Sequence, residues 1–231
     1  MRKRQKLYLL IGIALLAAFC IWTALIQFVD VQNVGVNETK IGLATFNTWF
    51  FNLTGSNMTL YTITDWLGLV PILVCICFGF LGLVQLIRRR SLFKVDSDIL
   101  ILGVYYIVVI VCYLVFEVIP INYRPILING YMEASYPSST TLLVLSVMPT
   151  LKYQVDKRVI NKPVRTGTSV FVIGFSMFVV IGRLVSGVHW ITDIIGSVLL
   201  SSSLFMFYVF FGIITSEKKE KQVEEKRNGI Q

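Results

Sequence analysis

Histidine is almost missing from this chain: His189 is the only one in 231 residues. One imidazole without a cluster of carboxylates makes a poor cation site, so no metal and no other cofactor is expected. Cysteine is also sparse. Cys20, Cys75, Cys77 and Cys112 all fall inside apolar runs, and Cys75-Ile76-Cys77 has neither metal-ligand nor redox-motif spacing. They read as small apolar packing residues and carry no information about redox compartment. Charge is scarce too, at 15% of residues against 55% hydrophobic, and the mean hydropathy is +0.74. A soluble enzyme is thereby excluded, because several apolar runs reach the roughly 20 residues that cross about 30 Å of hydrocarbon. The formal net charge of +8 lies at the ends of those runs and forms no basic face. The basic residues therefore read as topology signals, and nucleic acid is not an expected partner.

What is present is a succession of apolar segments. Leu7 to Val29 is apolar throughout, longer than the core of a cleavable signal, and Phe19 before Cys20 does not suit a lipoprotein cleavage site, so a retained anchor is expected. A polar loop from Asp30 to Thr64 follows, with an amphipathic stretch at Ile41 to Phe51 that suits an interface. It carries three N-x-S/T sequons, at Asn37, Asn52 and Asn57, meaningful only in a glycosylating host. Further spans are predicted from about Trp66 to Ile87, Ile99 to Ile119, Ser138 to Leu151, Thr168 to Val185 and Trp190 to Ile214. The predicted fold is an all-α, six-span integral-membrane bundle over residues 1–215, with a charged tail at 216–231.

Basic residues divide unevenly between the two sides. One side receives Arg2, Lys3, Arg4, Lys6, the group from Arg88 to Lys94, the group from Lys152 to Arg165, and the tail; the other receives Lys40, Arg124 and Arg183. Positive charge marks the cytoplasmic side, so both termini are expected there. Arg124 and Arg183 are the informative exceptions, since charge held near the hydrocarbon boundary is costly and points to function. The span from Ser138 to Leu151 is short for a bilayer, so its outer end is expected in a recess unless the helix continues past Lys152. Pro137 suits a helix start, and the backbone N–H groups of Ser138, Ser139 and Thr140 would then offer an anion site.

Chemistry concentrates in Gly182 to Asp193. His189 and Asp193 are four apart, so on a helix they share a face and the carboxylate can orient and stabilise the imidazole. Arg183 precedes His189 by six residues, about 240° around a continuous helix, so the two would point apart. Ser186-Gly187 offers a break, and a helical hairpin would turn Arg183 and His189 toward one volume. A nucleophilic nitrogen, a carboxylate behind it and a guanidinium for phosphoryl oxygens are the parts of phosphoryl transfer through histidine.

Three segments on one predicted side, Tyr123-Arg124-Pro125, Tyr136-Pro137-Ser138-Ser139-Thr140 and Arg183 with His189 and Asp193, together resemble the phosphatidic acid phosphatase type 2 family. Its motifs are K-x6-R-P, P-S-G-H and S-R-x5-H-x3-D, and the likeness spans residues 117–193. The resemblance implies a membrane lipid phosphatase in which His189 attacks phosphorus, Asp193 holds it, and Arg183 and Arg124 clamp oxygens, with Ser138, Ser139 and Thr140 beside the substrate. The chain departs from the motifs at four positions: Glu117 stands where the family has Lys, Ser139 where it has Gly, Thr140 where it has a second histidine, and Gly182 where it has Ser. The missing histidine is the family's leaving-group acid. An alkoxide leaves poorly without a proton, whereas the phosphate released from a polyprenyl diphosphate such as undecaprenyl diphosphate is already a stable anion. Hydrolysis of a lipid phosphate or diphosphate through a phosphohistidine is therefore expected, with a catalytically inactive binder of phospholipid headgroups as the alternative.

Overall fold

The computed structural model describes residues 3–228; Arg2 of the basic amino-terminal group and residues 229–231 of the tail lie outside it. Among the described residues, eight α-helices follow one another: α1 (Lys3–Phe28), α2 (Ala44–Thr54), α3 (Met58–Leu67), α4 (Leu69–Arg89), α5 (Ser97–Val118), α6 (Ser139–Arg158), α7 (Lys162–Val185) and α8 (Ile191–Asn228). No strand forms among the described residues beyond isolated bridges in the loops. The all-α expectation is met. By length and composition, five stretches can cross a membrane: α1, α3 with α4 taken together, α5, α7 and the part of α8 up to Lys218.

The remaining long helix, α6, is too polar to be among those five, and its surroundings explain why. Thr140, Thr141, Ser146, Thr150 and Gln154 along it are all buried by other helices rather than facing lipid. Each polar group in such a place needs a partner, since an unsatisfied one costs about 1–3 kcal/mol. The tyrosines of α5 and α8 supply several. Tyr105 donates to the Ser146 carbonyl at 2.9 Å, the Tyr106 hydroxyl meets Thr150 Oγ1 at 2.8 Å, and Gln154 Nε2 donates to Tyr208 Oη at 2.8 Å. The expected recess above a short span is not found. The helix runs on past Lys152 to Arg158, and its 20 residues make about 30 Å of helix.

Helices α1 and α8 lie antiparallel along most of their length. Trp22 Nε1 donates to the Thr192 carbonyl at 3.1 Å, Ser203 Oγ to the Gly12 carbonyl at 2.9 Å, and Gln5 Nε2 to Glu217 Oε2 at 2.9 Å. This pairing puts Lys3 and the tail end of α8 at one end of the bundle. The α4–α5 and α6–α7 turns join them there, bringing Arg89, Arg158 and Arg165 against Asp96, Asp98 and Asp156. The remaining turns, α5–α6 and α7–α8, meet at the opposite end. The tail expected as a solvated run is continuous with α8 as far as Asn228.

The loop expected from Asp30 to Thr64 is more ordered than its polarity suggests. The amphipathic stretch becomes α2, with Trp49 and Leu53 outward and Asn47 buried. The predicted second span starts eight residues early, as α3, capped by Asn57 whose side chain accepts from the Leu60 N–H at 2.9 Å. Where α8 passes the α5–α6 loop, Gly196 lets the Tyr136 ring lie against the helix backbone; a Cβ there would stand 2.5 Å from the ring. Tyr136 is itself held by Thr23 of α1, with 2.7 Å between the hydroxyl oxygens. Replacing Gly196 by Ala is expected to destabilise the bundle by about 1–3 kcal/mol, as overpacking does in a filled core. A lower thermal midpoint of the purified protein in detergent checks this, and an unchanged midpoint contradicts it.

Candidate functional site

The break between α7 and α8 forms where the sequence offers it. Ser186 caps α7 through its N–H on the Gly182 carbonyl at 2.8 Å, and Gly187 takes a φ of 68°, in the left-handed region that glycine enters freely. A side chain at Gly187 would also strike the Gly55 carbonyl, 2.0 Å from the Cβ position. The turn thus rests on the segment that launches α3, and the Asn57 N–H donates to the Ser186 carbonyl at 2.9 Å. Helix α8 then begins at Ile191. Asp193 reaches back to accept from the Trp190 N–H at 2.9 Å, the carboxylate half of a capping box. The Thr192 N–H donates to Asn47 of α2 at 3.3 Å.

His189 therefore precedes the helix instead of sitting on its first turn as expected. Its ring is buried, with Nδ1 3.1 Å from the Ser135 carbonyl and Nε2 3.2 Å from Arg183 Nη2. A carbonyl only accepts and a guanidinium only donates, so these partners assign the proton to Nδ1 and the lone pair to Nε2. Asp193 Oδ2 lies 3.6 Å from Nδ1, behind the ring but second to the Ser135 carbonyl as its partner. The Ser135 hydroxyl and the Asn122 amide face the same carboxylate without reaching good hydrogen-bond geometry. Burial, followed by the positive charges of Arg124 and Arg183, holds the His189 pKa well below its usual 6.5. The imidazole is accordingly neutral, the form a nucleophile requires.

Both arginines are buried, Arg183 to 1% and Arg124 to 8% of full exposure. They share the Tyr61 ring of α3, with guanidinium carbons 4.9 Å and 5.8 Å from its centre. Arg183 Nη1 also meets Asp65 Oδ1 at 3.5 Å, one helical turn beyond Tyr61. Arg124 sits in a hairpin-like loop: its N–H donates to the Glu133 carbonyl at 3.1 Å, and Trp190 Nε1 holds the neighbouring Tyr123 carbonyl at 2.8 Å. Its Nε is 3.1 Å from Glu133 Oε2 but off the hydrogen-bond direction. Arg124 Nε and Nη1 and Arg183 Nε all lack an acceptor. Buried guanidinium donors without acceptors are costly, and an anion is the group that would satisfy them.

The structure thus gathers Arg124, Arg183, His189 and Asp193 at one end of the bundle. Ser138 differs from expectation: its N–H is already spent on the Asp193 carbonyl at 3.3 Å, its hydroxyl on Thr141 at 3.1 Å, and its carbonyl on Ser197 at 2.9 Å. It fastens the start of α6 to α8, which leaves the first-turn N–H groups of Ser139 and Thr140 as the orphan donors. Those two residues border an apolar cavity of about 480 Å³ between α4, α5 and α6, with Asp65 and Gly68 beside them. Glu117 makes no ion pair among the described residues; it lines a crevice of about 10 Å³ that also touches His189 and Ser139. Sequence reasoning missed Tyr61, Asp65, Asn122 and Ser135. The spacing of Tyr61 and Asp65, four apart, was the available signal for the first two, but it lay in a stretch assigned to a loop. Gly182 is now explained too: a Cβ there would stand 2.6 Å from Thr64 Cγ2, so the missing side chain is what lets α3 lie against α7.

A helical membrane-type bundle with histidine, carboxylate and two arginines at one end is the class that fold and site define. No protein-family model matches the sequence, and no curated protein does. Among solved structures, the chain is similar to a transmembrane PAP2 type phosphatidylglycerolphosphate phosphatase from Bacillus subtilis, with a TM-score of 0.61 and 17% identity over 87% of this chain and 95% of that one. At that identity the likeness is one of fold, and it extends over nearly the whole of both chains.

Two outcomes follow from the site's construction. Gly187→Ala is expected to lower the thermal midpoint by more than Gly103→Ala, a glycine with open space around it, because only the former meets both a left-handed φ and a backbone carbonyl. The second concerns pH. With its folded pKa below 6.5, His189 binds a proton more readily in the unfolded chain, so stability falls as pH drops through about 6.5. That one group is expected to cost about 1.4 kcal/mol at pH 5.5, and His189→Asn to flatten the pH dependence of the melting temperature by a corresponding amount.

Proposed function

We propose that the chain is an integral-membrane lipid phosphatase that works through a phosphohistidine at His189 and favours lipid diphosphates, of which polyprenyl diphosphates are the simplest example. The observation that carries this reading is the set of unpaired guanidinium donors of Arg124 and Arg183 around the lone pair of a buried, neutral imidazole. On binding, phosphoryl oxygens replace His189 Nε2 as the acceptor for Arg183, which frees the nucleophile. Arg124 and the N–H groups of Ser139 and Thr140 take the remaining oxygens. As Nε2 bonds to phosphorus, positive charge develops on the ring and is stabilised by the Ser135 carbonyl and the Asp193 carboxylate. The apolar cavity beside Ser139 and Thr140 suits the lipid chain.

The preference for diphosphates comes from the leaving group. Thr140 offers no acid at the position where the resembling family has histidine, and a positioned acid is worth about 10²- to 10⁴-fold when an alkoxide must depart. A lipid monophosphate leaves a diphosphate as a stable anion and needs none. The basic end of the bundle fits the cytoplasmic side of a cell membrane, which sets both termini inside, α6 as a sixth, protein-covered crossing, and the site on the extracytoplasmic face. One observation favours a second reading, a catalytically inactive headgroup binder: Arg183 occupies the nucleophilic nitrogen.

A phosphate-release screen on the purified protein separates the two, using a polyprenyl diphosphate, phosphatidic acid and phosphatidylglycerolphosphate. Turnover is expected on the diphosphate, abolished by His189→Ala and reduced about 10²- to 10³-fold by Arg183→Ala, the scale typical of losing one oxyanion donor. Turnover that survives His189→Ala excludes the phosphohistidine route. Headgroup binding lost in Arg124→Ala, with no substrate cleaved by the wild type, favours the binder. Thr140→His is expected to gain hydrolysis of monoester substrates.

A further inference from the structure

If His189 becomes phosphorylated, something must bring water to the phosphoenzyme, and the unpaired carboxylate of the family-like segments, Glu117, borders the small crevice with His189 and not the large cavity beside Thr140. Asp193 is fully buried and committed to the Trp190 N–H. Glu133 is ion-paired with Arg124. Thr140 is a poor base. We propose that Asp65, on α3, is the catalytic base that activates this water; the proposal rests on the phosphohistidine reading above.

Its placement supports the role. Arg183 holds His189 Nε2 on Nη2 at 3.2 Å and Asp65 Oδ1 on Nη1 at 3.5 Å, so the nucleophile and the carboxylate each contact a terminal nitrogen of one guanidinium. A phosphoryl group held bidentately by those nitrogens would lie between them. Asp65 is accessible, with its side chain 56% exposed, whereas that of Asp193 is wholly buried, and Asp65 is the acidic residue that borders the large cavity with Thr140. Direction matters as well. Asp65 borders the large cavity with Thr140, while His189 borders the small crevice on the other side of Ser139. Water must approach phosphorus opposite the nitrogen–phosphorus bond, from the side the leaving group has just vacated, and that is the cavity side. Helix α3 is fixed for this purpose by its Asn57 cap and by the close contact of Thr64 with Gly182.

The steps balance as follows. In the first, the Nε2 lone pair forms a bond to the terminal phosphorus while the bridging phosphorus–oxygen bond breaks, and the lipid monophosphate leaves with that electron pair. In the second, Asp65 takes a proton from water as the water oxygen bonds to phosphorus. The nitrogen–phosphorus bond breaks with its pair returning to Nε2, inorganic phosphate departs, and Asp65 passes its proton to solvent. Tyr61 keeps its ring against both guanidinium groups through both steps as a positioning residue.

Asp65→Asn, assayed in detergent with a lipid diphosphate labelled on its terminal phosphate, tests this. The variant is expected to release about one lipid monophosphate per site in a burst, to withhold the phosphate as an acid-labile phosphoenzyme, and to turn over about 10²- to 10⁴-fold more slowly than wild type. Asp65→Glu keeps a carboxylate and is expected to retain turnover without accumulating phosphoenzyme. Wild-type turnover in Asp65→Asn overturns the proposal, and so does loss of burst and turnover together, which would make Asp65 a support for Arg183. Phosphoenzyme accumulation in Asp65→Glu also overturns it. Failure of the underlying reading looks different: His189→Ala then still turns over, and no protein variant becomes labelled.

Discussion

One contact governs the site: a buried guanidinium donating to the free nitrogen of the lone imidazole. Two like charges cannot be held together at that distance in a dry environment, so the contact requires the ring to be neutral, and the Ser135 carbonyl then fixes which nitrogen bears the proton. Everything nearby serves to keep the pair in place. The capping box of α8 sets the height of His189, the left-handed Gly187 turns it back toward α7, and the Tyr61 ring supports the guanidinium from the outer side. Around the same contact, guanidinium nitrogens of Arg124 and Arg183 are left buried without acceptors.

Beneath the site, the bundle solves a different problem. A helix surrounded by other helices needs no lipid-compatible surface, so α6 can carry threonines, serines and a glutamine where the outer helices carry leucine and valine. Tyrosine is well suited to serve it, because its ring packs like an apolar residue while the hydroxyl reaches a polar partner. Tyr105, Tyr106 and Tyr208 all do so, and their rings lie in contact with one another, Tyr105 and Tyr208 with centroids 5.0 Å apart. Several of the buried polar groups are thereby satisfied by neutral partners, while the Ser146 and Ser176 hydroxyls are left without one. The charges are gathered at the end that holds the chain termini, where carboxylates of two turns meet arginines of three helices.

The apolar runs of the sequence located each outer helix, because lipid imposes one rule on every exposed position, but several ends lie six or more residues beyond the apolar run. Arg183, His189 and Asp193 were legible for a related reason: each is conspicuous in apolar surroundings, and Ser186-Gly187 announced the turn between them. The length of α6 was not legible, since hydropathy ends at Lys152 whereas the backbone, covered by neighbours, goes on to Arg158. Nor was α3. Its threonines and Asp65 interrupt the apolar run, and it becomes a helix because Asn57 caps it and Gly182 gives it a surface to lie on. The Ser138 N–H was expected at an anion and is found on the Asp193 carbonyl, a partner 55 residues away that no local pattern could announce.

The pairing of the first helix with the last has a consequence in time. During synthesis α1 enters the bilayer well before α8 exists, yet Trp22 and Thr23 are the residues that steady Thr192 and Tyr136 beside the histidine. The pocket therefore cannot close until nearly the entire polypeptide has been inserted, and its completion waits on an encounter between segments about 170 residues apart in sequence. The covalent link through the rest of the chain is what keeps α1 at hand for that encounter.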